Sequence, residues 1–243
     1  MSESVTIDRR FNGPPDSAQG GYACGLIAER IDSPAAAVSL RAPPPLETPL
    51  EVRRGADGAV VLYDGELRIA DGAAAQLDLA VPEPVSPESA ARASEDFPWR
   101  DRHPFPTCFG CGPQRSPQEA IAVLPGPVPG RDLVAAPWTP LDEFAGPDGA
   151  VTPLYTWAAL DCPTSFGALS ADAPTHVLAR LQARLLAPVR AGEPHTVIAW
   201  QVGREGRKAF GAAAIHAADG TLCAVSEGLW IQVRDPARVG AQR

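Results

Sequence analysis

Residues 20–28 read GGYACGLIA, nine positions with no charge before Glu29, directly behind a glycine- and proline-rich loop, FNGPPDSAQ. No face of this run is polar, and a helix that is apolar on every side has to be wrapped by other structure. A second apolar run, LYTWAAL at 154–160, follows the loop FAGPDGAVTP. Beyond each helix lies an apolar segment, AAVSL at 36–40 and ARLLA at 183–187, and then a proline-punctuated strand, a turn and another strand. Each half is expected to close on an Asp-Gly hairpin, in IADGAAAQLDLAV and in HAADGTLCAVSEGLWIQV, because Asp-Gly between β-rich runs is a strong turn signal.

These shared features fall in the same order, which is the mark of an internal duplication. APPPLETPLEV at 42–52 matches APVRAGEPHTV at 187–197 without a gap, placing Pro43 on Pro188, Pro49 on Pro194 and Val52 on Val197. The opening stretch repeats as well, so that Phe11 meets Phe144, Gly13 meets Gly146, Pro14 meets Pro147 and Tyr22 meets Tyr155. Each half therefore predicts a first strand, a Gly/Pro loop, one apolar helix and a meander of about four strands. The expected fold is α+β, with two antiparallel sheets that each wrap a helix and pair edge to edge. Residues 81–106, rich in proline, serine and charge, read as the connection, with halves at 1–98 and 99–243.

A helix wrapped by a meander, entered through Gly-Gly and duplicated in one chain, resembles the double hotdog proteins of the acyl-CoA thioesterase class. The likeness rests on GPPDSAQGGYACGLIA, on GREGRKAFGAAAIHAADGTLCA and on HPFPTCFGCGP, the last similar to the Cys-x-x-Cys-Gly-Pro opening of many phenylacetate-type hotdog thioesterases. The resemblance spans nearly the whole chain and implies hydrolysis of an acyl thioester, acyl-CoA above all, in a pocket between the halves. This sequence departs from the pattern at both helix entries, which carry Gln19-Gly20-Gly21 and Thr152-Pro153-Leu154 in place of His-Gly-Gly. The Asp-then-His pattern of hotdog hydratases is missing after Asp161. A hotdog protein that binds an acyl or coenzyme A ligand without turning it over is the competing expectation.

Asp161 is the sharpest candidate for chemistry. It ends an apolar run where a carboxylate is normally avoided, and Ala28 occupies its aligned position in the first half. The resemblance implies an acid on the helix that acts on water as a general base; the alternative is a residue at the helix end facing solvent. Gly20 and Gly21 offer backbone N–H groups at a helix start, where orphan donors and the helix dipole favour a developing oxyanion. The pair would equally let a sheet pass close by. Gln19 and Thr152 hold matching positions and either orient water and substrate or cap their helices.

In GREGRK, Arg204, Arg207 and Lys208, the one lysine of the chain, form a basic hairpin tip that suits coenzyme A phosphates. Tyr22 and Tyr155 are assigned to the substrate side with them. Cys108 and Cys111 make half of a four-ligand zinc site; Cys162 and His103 have no spacing that ties them to the pair, so no metal and no other cofactor is expected, and the motif reads as a tight turn.

Composition narrows the function classes. The 243 residues carry a formal charge of −8, which opposes a broad nucleic-acid surface. MSESVTIDRRF has no apolar signal core and no run approaches a membrane span; with five cysteines, an odd number suited to reduced thiols, the expectation is a cytoplasmic protein. A small-molecule thioester is the expected partner, with no nucleic acid or membrane, and homo-oligomers are possible.

Overall fold

A computed structural model describes residues 3–234. The first half contains strand β1 (Glu3–Thr6), helix α1 (Gly20–Ala28) and strands β2 (Ala35–Leu40), β3 (Pro49–Arg54), β4 (Val60–Asp64) and β5 (Leu67–Ala74). Helix α2 (Pro87–Glu95) lies in the connection. The second half contains β6 (Gly126–Pro127), β7 (Val134–Trp138), helix α3 (Pro153–Ala168), β8 (His176–Leu185), β9 (His195–Glu205), β10 (Lys208–Ala217) and β11 (Leu222–Gln232).

All strands join one antiparallel sheet in the order β1-β3-β4-β5-β2-β8-β11-β10-β9-β7-β6. Either side of the β2–β8 seam, the strand after the helix lies at the centre and the strand before it lies outermost, apart from the short β6. The two sheets are thus fused edge to edge, with Val38 opposite Leu181 in the seam.

The two apolar helices pack on each other as well as on the sheet. A Cβ on Gly21 would lie 2.4 Å from Asp161 Cβ and 2.6 Å from the Trp157 carbonyl, and one on Gly25 would lie 2.8 Å from the Leu154 carbonyl. The glycines, one turn apart, therefore let the backbones of α1 and α3 approach where no side chain fits. Alignment of the halves maps Gly21 onto Leu154 and Gly25 onto Ala158, so the Gly21–Ala158 and Gly25–Leu154 contacts exchange under the repeat. The aromatic pairs repeat likewise, with Phe11 stacked on Tyr22 at 4.1 Å and Phe144 on Tyr155 at 4.3 Å.

Two local expectations need correction. Asp219-Gly220 does turn between β10 and β11, with Gly220 at φ +87°, but Asp71-Gly72 lies inside β5. Gly72 is there for space: a Cβ would meet Ile27 at 2.7 Å and Val38 at 2.8 Å. The first-half turns are Asp57-Gly58 and Asp64-Gly65, whose glycines have φ +79° and +57°.

The connection is also more than a tether. Ser86 caps α2 by accepting the Ser89 N–H at 3.2 Å, and Ala90 and Ala93 are buried against Ala135, Ile198, Ala214 and Val225. Their strand neighbours Ala136, Val197, Ala199, Ala213, Ile215 and Ala224 belong to the core that holds α1 and α3. Since alternate strand residues point to opposite faces, α2 covers the back of the sheet.

Replacing Gly21 or Gly25 by alanine is expected to destabilise the protein. Overpacking costs about 1–3 kcal/mol or more, which outweighs the ~1 kcal/mol that alanine gains as a helix former. Gly203→Ala, where a Cβ meets nothing within 4 Å, is expected to be neutral or slightly stabilising. Denaturant midpoints compare the three; equal midpoints would contradict the close helix crossing.

Candidate active site

The helix crossing buries a carboxylate. Asp161 lies within α3 at 2% exposure, and its Oδ2 accepts hydrogen bonds from Gln19 Nε2 at 2.6 Å and from the Gly21 N–H at 2.7 Å. Both donors belong to the entry of α1, so the contact joins the halves. Oδ1 is buried and has no hydrogen-bond partner among the described residues. Burial pushes the Asp161 carboxyl up to about 8, a shift that the Gly21 N–H and the Gln19 amide oppose and the nearby Cys108 reinforces.

Gln19, 1% exposed, holds both helices at once. Its Oε1 accepts the Tyr22 N–H at 2.6 Å and caps α1, while Nε2 also reaches the Ala158 carbonyl at 3.1 Å and Cys162 Sγ at 3.6 Å. Two residues after Asp161, Pro163 interrupts the ladder of α3. Side-chain hydroxyls then take up carbonyls there: Ser226 donates to Leu160 O at 3.2 Å, Thr164 to Asp161 O at 2.7 Å and Ser165 to Cys162 O at 2.8 Å.

The two glycine N–H groups at the entry of α1 differ. Gly21 gives its N–H to Asp161, whereas the Gly20 N–H makes no hydrogen bond among the described residues. The matching corner of the second half is differently built. Thr152 makes no side-chain cap and its Oγ1 is buried without a partner among the described residues. There the Leu154 N–H, aligned with that of Gly21, donates to Glu29 Oε1 at 3.2 Å, and Glu29 is solvent-exposed.

Asp161, Gln19 and Gly20 line a cavity of about 470 Å³, within the usual range for small-molecule sites. The loop before α1, residues 40–44, the connection from Trp99 to Cys111, the end of α3 with the loop to β8, the start of β8 and the end of β11 form the rest of its wall. Much of that wall is apolar, with Trp99, Phe105, Phe166, Leu178 and Trp230. Arg41 and Arg102 also contribute; they pair with Asp71 at 2.6 Å and Asp172 at 2.9 Å, and both guanidinium side chains are more than half exposed.

Several sequence candidates lie elsewhere. Arg204, Arg207 and Lys208 cluster at the β9–β10 turn outside the cavity wall, Lys208 pairing with Glu205 at 3.3 Å and Arg207 donating to the Gln232 carbonyl at 3.2 Å. Tyr22, Tyr155 and Thr152 are also absent from the wall. The tyrosines belong to the aromatic core at the helix starts, 6.1 Å apart. Arg41 and Arg102 escaped sequence reading because they lie 61 residues apart, Arg41 alone before a proline run and Arg102 within the charged connection, and only the fold brings both to one cavity wall.

The cysteines are the other correction. Cys108, Cys111 and Cys162 bring their Sγ atoms within 4.8 Å of one another. His103 Nε2 lies 3.3 Å from Cys111 Sγ, so the fold brings to the Cys108–Cys111 pair the two residues that spacing leaves apart from it.

No family model matches the chain, and no curated protein matches it in sequence. Solved structures match its shape over almost its whole length. A protein described as a candidate thioesterase from Novosphingobium aromaticivorans shares 12% identity at a TM-score of 0.61, over 95% of this chain and 94% of the other. The tesB protein of Mycobacterium avium subspecies paratuberculosis shares 12% at 0.59, over 94% and 91%. A protein of unknown function with a hot dog fold from Alicyclobacillus acidocaldarius shares 10% at 0.56, over 96% and 93%. A thioesterase superfamily protein matches at 26% identity over 47% of this chain, which spans 55% of that relative's length, and its TM-score of 0.41 bears on neither fold nor activity. The chain has the double hotdog fold. No helix among the described residues is long and apolar enough to cross a membrane.

Gln19→Leu keeps the bulk but removes the α1 cap, worth about 1 kcal/mol, and one donor to a buried carboxyl, worth about 1–3 kcal/mol. A combined loss of about 2–4 kcal/mol is expected from urea unfolding. A loss under ~0.5 kcal/mol, the usual size at an unimportant surface site, would mean that Gln19 does not bridge the helices.

Proposed function

We propose that the protein hydrolyses an acyl thioester, most simply an acyl-CoA, in the cavity where the two halves meet. The observation that carries this reading is the unpartnered Oδ1 of buried Asp161 in a cavity wall that also holds the uncommitted Gly20 N–H. A carboxylate whose pKa is raised is a stronger base once ionised. In the proposed reaction Asp161 takes a proton from water as the water oxygen bonds to the carbonyl carbon. The Gly20 N–H, with the α1 dipole behind it, stabilises the oxyanion. Collapse breaks the C–S bond, and the proton passes from Asp161 to the departing sulfur.

The aromatic and aliphatic wall suits the acyl group, and Arg41 and Arg102 suit the anionic carrier. This replaces the hairpin tip at Arg204, Arg207 and Lys208 as the anion contact. Five free cysteines fit a reducing compartment, and the reaction is accordingly assigned to the cytoplasm. A second reading, acyl or coenzyme A binding without turnover, is favoured by one observation: burial leaves Asp161 with a pKa of about 8, so that it is mostly protonated at neutral pH.

Thiol release from short, medium, long and aromatic acyl-CoAs, measured for wild type and Asp161→Asn, separates the readings. Hydrolysis that falls about 100- to 10,000-fold in the variant, the usual contribution of a general base, is the expected result. No release from any ester by wild type, with saturable ligand binding retained, would select the binding protein instead.

A further inference from the structure

Beside the proposed base lies a cluster of sulfur ligands that the hydrolytic reading does not use. We propose that Cys108, Cys111 and Cys162 bind one zinc ion as three thiolates, with His103 hydrogen-bonded to the Cys111 sulfur and a fourth ligand drawn from the cavity. The three Sγ atoms lie within 4.8 Å of one another, with Cys108 and Cys162 at 3.9 Å. Zinc–sulfur bonds of about 2.3 Å at tetrahedral angles place sulfurs roughly 3.8 Å apart, so a contraction of under ~1 Å closes the site around the metal.

The surroundings suit thiolates. Gln19 Nε2 reaches Cys162 Sγ at 3.6 Å. Gly110 is needed for this arrangement, since a Cβ there would lie 2.7 Å from Cys162 Sγ. All three cysteines are buried yet line the cavity, which provides the path of entry.

His103 is the obvious fourth ligand, but its hydrogen bonds argue for another part. Nδ1 accepts the Phe105 N–H at 3.0 Å, so the proton of the neutral ring sits on Nε2, the nitrogen 3.3 Å from Cys111 Sγ. A protonated nitrogen cannot ligate; it donates to the sulfur and supports the thiolate from outside. The ion would tie the connection to α3 at the residue next to Asp161, where the sequence alone suggested only a tight turn.

The test is zinc content by mass spectrometry after purification without chelator, together with cobalt substitution, which reports thiolate ligation by its charge-transfer band. One zinc per chain and a thiolate–cobalt band in wild type are expected. Cys108→Ser, Cys111→Ser and Cys162→Ser are each expected to lose them and Cys223→Ser to keep them. His103→Ala should keep the band with affinity lowered about 10- to 100-fold, as for other outer-shell partners. The wild-type cobalt titration needs no variant, so a serine variant that fails to fold does not obscure the result. Absence of the band, metal binding that survives Cys162→Ser, or a Cys108–Cys111 disulfide in the protein purified with its thiols protected would each overturn the proposal.

Discussion

Everything in this molecule depends on the near contact of two helix backbones. Gly21 and Gly25 remove side chains from one face of α1, and α3 comes so close that a methyl group on Gly21 would overlap Asp161 Cβ and the Trp157 carbonyl. Interiors are packed like crystals and do not stretch to admit extra atoms. The same contact appears twice, related by the duplication, and sets how the two sheets meet along β2 and β8. The bare entry and the apolar helix behind it are one feature: the glycines admit the other half's helix, and that helix needs an apolar partner.

The crossing also buries a carboxylate away from bulk solvent, at the wall of the cavity. A charged group there is costly unless it is hydrogen-bonded, and the entry of α1 supplies two donors to Oδ2 while leaving Oδ1 without any. Such half-satisfied burial is a poor device for stability and a common one for chemistry. The repeat makes the point by contrast. Ala28 replaces the acid in the first half, and its neighbour Glu29 reaches the Leu154 N–H from an exposed position. Duplication produced two equivalent corners, and only one holds a buried carboxylate.

Much of the fold was legible in the chain, because a nine-residue uncharged helix and the proline and glycine signals that recur in the same order in both halves can be read directly along it. The in-strand Asp71-Gly72 misled, since a glycine required by Ile27 and Val38 looks the same in sequence as one required by a turn. Asp161, Gln19 and Gly21 each stood out in the sequence, but their hydrogen bonds to one another did not, because Gln19 and Gly21 meet Asp161 across more than 100 residues of chain. The basic cluster at Arg204, Arg207 and Lys208 was conspicuous in sequence, whereas Arg41 and Arg102 lie far apart in the chain and share a cavity wall only in space. Cys162 was invisible as a neighbour of Cys108 for the same reason.

A single turnover in isotopically heavy-oxygen water distinguishes an Asp161 that acts on water from one that attacks the acyl group itself. General-base catalysis places the heavy oxygen in the released acid on the first turnover and leaves the Asp161 peptide unlabelled. Heavy oxygen recovered in the Asp161 side chain, with an unlabelled first product, would mean that the carboxylate attacks the thioester as a nucleophile, and would contradict the account.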